Sequence, residues 1–165
     1  MGKVNLSLNQ TDLMLIGNQK IRDMNNYEKT QGIYSSLLSN KDLNAKDKEK
    51  IYKKYLDEIR ELANSGNGNA QFDLALHYEE YNFFGLNPDY NPEKVFHWAH
   101  KACNNDIAEA CNNLGTYYES GIGCEKDLKE AVLYYKRAIS LGSEPAKENL
   151  TLLDPAGSPP AGIKK

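Results

Sequence analysis

The strongest constraint on this chain is that parts of it repeat. Ala70, Leu74, Ala75 and Tyr78 reappear as Ala110, Leu114, Gly115 and Tyr118, an offset of 40 residues. Ala146 and Leu150 then stand 36 beyond Ala110 and Leu114. Between these blocks, Val95, Trp98 and Ala102 correspond to Ala131, Tyr134 and Ala138, again 36 apart. Self-similarity at such a period means stacked copies of one supersecondary unit, each too small to bury its apolar face alone. Within each block the apolar residues recur every three or four positions, the periodicity of a helix. Each unit is therefore expected to be a helix, a turn and a second helix. Small residues such as Ala75 and Gly115 let the paired helices approach, and the tyrosines fill the space between layers.

The turn residues agree. Gly121 and Gly123 follow the first helix of the second unit, where the chain must bend back and positive φ is useful. Asp127 precedes Leu128 as an N-cap, with Glu130 placed to complete a capping box. Asn91 caps the matching helix of the first unit, and Pro92 occupies its first turn.

The run from Gly121 to Ala138, Gly-Ile-Gly-Cys-Glu-Lys-Asp-Leu-Lys-Glu-Ala-Val-Leu-Tyr-Tyr-Lys-Arg-Ala, resembles the signature of a Sel-1-like repeat. Asn112 to Tyr118 supplies the other half of that signature. The resemblance covers residues 66–153: one full copy, one stretched by four residues, and a terminal half-copy. It implies an all-α fold, a short right-handed α-solenoid of seven or eight helices arranged as helix-turn-helix repeats, and a scaffold rather than a particular chemistry. Residues 11–40 carry a looser likeness to the related tetratricopeptide repeat, through Ile16-Gly17-Asn18, Tyr27, Thr30, Tyr34 and Leu37-Leu38. A strong amphipathic helix from about Ala45 to Ala63 follows, with Ile51, Tyr55, Ile59 and Leu62 on one stripe. By position it substitutes for the second helix of a preceding repeat. Three parts result: a helical region over 1–65 with a tetratricopeptide-like pair and this long helix, the repeats over 66–153, and a Pro/Gly-rich tail over 154–165.

Composition excludes several classes of function. With 20 Lys+Arg against 23 Asp+Glu the chain is not a generic basic nucleic-acid binder. No stretch approaches the roughly 18 apolar residues of a membrane span. The first residues lack the layout of a secretory signal, so a cytoplasmic location is expected.

Candidate chemistry is sparse. Cys103 and Cys111 flank a short turn between helices, which should bring them close. Their placement resembles the cysteine-rich branch of the Sel-1-like family, secreted bacterial proteins in which each repeat carries such a disulfide, and some of which are penicillin-binding or β-lactam-hydrolysing. Only one repeat here has the pair, so the expectation is Cα atoms within bridging distance but buried, reduced thiols. No Ser-x-x-Lys nucleophile motif is present. His97 and His100 stand three apart without an evident third ligand, His97 expected on the outer face and His100 on the solvent edge, so neither metal nor cofactor is expected. His77, beside Tyr78, reads as packing.

The segment Glu79 to Tyr90 is four residues longer than its counterpart in the second repeat and carries Tyr81, Phe83, Phe84, Leu86 and Tyr90. It reads either as a local plug or as an aromatic binding patch. Charge also divides: residues 1–65 hold 11 basic and 9 acidic side chains (+2), and residues 66–165 hold 9 and 14 (−5). First helices line the concave side of helical solenoids, which should turn Phe72, Leu76 and Glu79 inward, followed by Asn112, Thr116 and Glu119. Together with Glu80, Tyr81, Phe83, Phe84 and Tyr90 these are the candidate partner-binding residues. The functional expectation is a non-enzymatic protein-binding module of a bacterial cytoplasm, most concretely an immunity protein that neutralises a basic toxin. A secretion chaperone or adaptor is the alternative, and a β-lactam-acting enzyme of the cysteine-rich branch the alternative of another class.

Overall fold

Between Asn18 and Gln31 the sequence contains neither proline nor glycine, so nothing there can stop a helix once it has started. The computed structural model, which describes residues 10–82 and 85–153, has a single helix α1 over Gln10–Ser39. This corrects the tetratricopeptide-like pair expected over 11–40: no interhelix turn forms. Gly32, the one glycine in its second half, sits in open space.

The chain divides into two compact units, Met1–Glu58 and Ile59–Lys165. In the first, α1 is followed by a tight turn in which the Asn44 side chain accepts from Asp47 N at 3.0 Å, starting α2 (Ala45–Asn64). Tyr34 of α1 stacks on Tyr55 of α2 with ring centroids 3.9 Å apart. Gln31 Nε2 donates to the Tyr55 hydroxyl at 2.7 Å, and Thr30 Oγ1 to Glu58 Oε2 at 3.1 Å.

In the second unit the last turn of α2 leads into two helical hairpins and a final helix. These are α3 (Gly68–His77) with α4 (Pro92–Asn104), α5 (Ala108–Ser120) with α6 (Leu128–Ser140), and α7 (Pro145–Leu153). The junctions repeat as the sequence does. Gly66, Asp106 and Gly142 all have positive φ (100°, 61° and 97°) and occupy equivalent turns. At each, the next amide reaches back to the preceding helix: Asn67 N to Leu62 O, Ile107 N to Ala102 O and Ser143 N to Ala138 O, at 3.0, 3.2 and 2.9 Å. These are the bonds of a Schellman stop. The C-terminal part of α2 thus does take the place of a repeat's second helix.

The turns inside the hairpins are also equivalent despite their different lengths. Asn91 N donates to Tyr78 O at 3.1 Å, and Asp127 N to Tyr118 O at 2.9 Å. Asn91 caps α4 through Lys94 N, and Asp127 caps α6 through Lys129 N and Glu130 N. The capping box lacks its reciprocal arm, because Asp127 N is already engaged by Tyr118 O. Between α3 and α4 the insertion forms a two-residue antiparallel ladder, β1 (Tyr81–Asn82) with β2 (Gly85–Leu86), pairing Tyr81 with Leu86. The buried Asn87 pins its base: Nδ2 donates to His77 O at 2.6 Å and to Glu79 O at 2.8 Å.

Leu74 and Leu114 are fully buried, while Leu150 in the final helix is half-buried. Gly115 faces the ring of Tyr135, where a Cβ would overlap it, and Gly123 lies directly on the Pro92 carbonyl. The small residue in the repeat therefore sets the distance between α5 and α6.

Candidate partner-binding site

The last turn of α3 continues into Glu79 and Glu80, and the exit of the insertion returns Tyr90 to their side. Val95 from α4, Tyr117 from α5 and Ile122 from the following turn complete the lining of a cleft of about 230 Å³. Tyr117 O–H donates to Glu79 Oε1 at 2.6 Å. Desolvation, aided by the bond to Glu79 and that carboxylate's charge, holds the Tyr117 pKa far above its ordinary value, so the hydroxyl keeps its proton and donates throughout the working pH range. Glu79 is half-buried and Glu80 exposed, with Tyr90 45 % exposed beside them. Apolar walls with carboxylates at the mouth suit an aliphatic stem ending in a cation.

The structure brings together only some of the residues expected on the concave side. Glu79, Glu80 and Tyr90 share the cleft. Thr116 and Glu119 instead gather at the hydroxyl of the buried Tyr135, which donates to Glu119 Oε2 at 2.8 Å and lies 3.2 Å from Thr116 Oγ1. Desolvation, with Glu119 contributing, leaves the Tyr135 pKa pushed up to about 12. Asn112 Oδ1 accepts from Asn149 Nδ2 of α7 at 2.9 Å. Asn112, Thr116 and Glu119 thus tie helices together. Phe72 is half-buried against the core, whereas Leu76 is 37 % exposed. Tyr81 sits in β1. Phe83 and Phe84 lie outside the described residues. Tyr117 and Asn87 were missed: the repeat pattern casts Tyr117 as filler between layers, and an isolated Asn-Pro reads as an ordinary turn.

The cysteine expectation was half right. The Cα atoms of Cys103 and Cys111 are 4.8 Å apart, within bridging range, but the two form a disulfide rather than a pair of free thiols. The turn that Asp106 closes places α4 and α5 so that the two side chains meet. Cys124 is free, and burial pushes its pKa up, which disfavours the reactive thiolate. His97 is exposed as expected; His100 is half-buried, its ring 3.2 Å from Asn104 Nδ2 and against Phe96 and Tyr134. His77 is buried, as its packing reading implied. Among the described residues no three His, Cys, Asp or Glu gather as a metal site, and no helix is long and apolar enough to cross a membrane.

Tandem helical hairpins sharing one core, with a lined cleft where consecutive hairpins meet, define an all-α repeat protein of the solenoid class. Residues 68–107 and 108–143 each match the Sel1 repeat, so this part of the chain is a pair of Sel1 repeats, a protein-interaction module. Mouse "DAP3-binding cell death enhancer 1" is 30% identical over 95 residues, which are 58% of this chain and 18% of that protein. The Drosophila melanogaster "Cytochrome c oxidase assembly factor 7 homolog" is 43% identical over 60 residues, 36% of this chain and 23% of that one. The chain thus spans less than a quarter of these curated relatives. Helicobacter pylori cysteine rich protein B has the same fold, with a TM-score of 0.54 and 28% identity over 80% of this chain and 95% of that chain.

Proposed function

We propose that the second unit is a non-enzymatic binding module that captures a basic segment of a partner protein at the Glu79–Glu80–Tyr90–Tyr117 cleft. The observation that carries this reading is the cleft itself: two carboxylates and an exposed tyrosine around an apolar floor, in the part of the chain whose net charge is −5 (9 basic, 14 acidic). A lysine or arginine stem fits the walls, its cation meets Glu80 and the remaining oxygen of Glu79, and the exposed Leu76 and Leu86 offer apolar rim contacts. In its most concrete form the role is that of a bacterial immunity protein holding a basic toxin. The names of the relatives, a DAP3-binding cell death enhancer and a cytochrome c oxidase assembly factor, favour a protein that acts through others.

The disulfide favours an oxidising compartment over the cytoplasm. It also matches what the cysteine-rich resemblance implied, but a bridge joining two helices supplies no nucleophile for β-lactam chemistry. The test is photo-crosslinking in the native host from a benzoylphenylalanine at position 90, then calorimetry with the captured protein. Glu79→Gln with Glu80→Gln should weaken binding at least about tenfold and flatten its salt dependence. An acidic captured protein, or unchanged affinity, would remove the cleft from the interface.

A further inference from the structure

The first unit contains a second, larger concavity, separate in both place and charge from the cleft. It is a groove of about 500 Å³ between α1 and α2, and its floor is apolar: Ile33, Tyr34, Leu43, Ile51 and Tyr55. Ile33 is 52 % exposed there. Four charged residues stand on its edge, and they differ in whether they are satisfied. Asp47 Oδ2 accepts from Asn44 Nδ2 at 2.7 Å, and Glu58 Oε2 accepts from Thr30 Oγ1 at 3.1 Å. Lys50 and Lys54, by contrast, have no carboxylate or hydrogen-bond partner among the described residues, although Lys53 on the same helix pairs with Glu49 at 3.1 Å.

Lys50 and Lys54 are four apart on α2, so their side chains leave the helix on one face, about 5–6 Å apart at Cβ. Two like charges at that spacing slightly oppose helix formation, and Ile33, the exposed part of the apolar floor, is unfavourable in water. One kind of occupant relieves both: a segment with an apolar stripe to cover Ile33, Tyr34 and Ile51 and carboxylates on its flank to meet the two ammonium groups. A groove between two helices accepts such a stripe most readily from a third helix, as anchors three and four residues apart.

We infer that the groove between α1 and α2 is a docking site for an acidic amphipathic helix of a partner protein. The reading stands on charge complementarity at Lys50 and Lys54 and is independent of the cleft in the repeats.

The test uses the full-length protein and a phage-displayed library of random peptides about 16 residues long, enough for a helix of roughly 24 Å. Selection on the protein, with removal of phage that also bind the Lys50→Glu/Lys54→Glu variant, should enrich apolar residues at helical spacing together with an excess of Asp and Glu. A synthetic peptide from that pool should lose at least about tenfold in affinity on Lys50→Glu/Lys54→Glu, and a similar amount on Ile33→Ser. Both variants should keep the parent far-UV circular dichroism, since these side chains are exposed. No enrichment, enriched peptides without acidic excess, or equal binding to both proteins would overturn the inference. So would light scattering that shows a dimer dissociated by Ile33→Ser, because a second copy would then cover the groove.

Discussion

Gly115→Ala sets two effects of known sign against each other. In a helix interior, alanine is favoured over glycine by about 1 kcal/mol. At Gly115 the added methyl would lie 2.9 Å from Cγ of Tyr135 and closer still to the ring edge, where carbon atoms rest at about 3.5–4.0 Å. Tyr135 cannot easily yield: it is 1 % exposed, and its hydroxyl is held by Glu119 and Thr116 at the far end. Overpacking of this kind costs about 1–3 kcal/mol, and moving the ring weakens hydroxyl bonds worth about 1 kcal/mol each. The expected result is a net loss of about 1–3 kcal/mol. The assay is urea unfolding followed by fluorescence of Trp98, the single tryptophan, which lies in the repeats and reports on that unit. The control is a cycle with Tyr135→Ala, which removes Cγ as well as the ring: in that background Gly115→Ala should be neutral or stabilising. A penalty that persists in the Tyr135→Ala background would refute the reasoning, as would a change within about half a kcal/mol in the parent. Gly32→Ala offers the opposite sign, a gain of up to about 1 kcal/mol by far-UV circular dichroism, because nothing lies within 4 Å of its Cβ position.

Cleaving the Cys103–Cys111 bridge with a phosphine reductant should destabilise the repeats by about 2.5 kcal/mol, the chain-entropy value for so short a loop; an unchanged urea midpoint would show that the packing of α4 on α5 suffices alone. Burial first, then Arg60 and Lys94, hold the His77 pKa below 6.5 against the opposing pull of Asp89. Just below pH 6.5 the unfolded chain therefore binds more protons than the folded one, so this contribution is complete above pH 6.5 and declines as the pH falls towards the native value. His77→Asn should flatten that part of the pH–stability profile, and a parent profile equally flat would contradict the assignment. Asn87→Ala should remove both bonds to the end of α3, lower stability by about 1–3 kcal/mol and open residues 79–90 to protease; an uncut loop would mean that the β1–β2 ladder holds itself.

The sequence alone determined the repeat units, their helical character and most of their ends, because these depend on residues close together in the chain. Gly121 and Gly123 mark the bend inside a hairpin, Asn91 and Asp127 mark starts, and the apolar period of three to four marks the faces between. It also implied that Cys103 and Cys111 would be neighbours, since only a short turn separates them. What needed the tertiary structure was each decision made by partners far apart in sequence. The likeness in residues 11–40 suggested a helical pair, but local propensity left α1 uninterrupted. Thr116 and Glu119 looked like surface residues until Tyr135 reached them, and Asn112 until Asn149 did. Glu79 gained its fixed position from Tyr117, 38 residues away. Asp106 stands where the other two turns have glycine, and it takes the same left-handed backbone there, with a φ of 61°. The cleft lies between hairpins and the groove between helices, and a cavity belongs to the packing of elements rather than to any one of them.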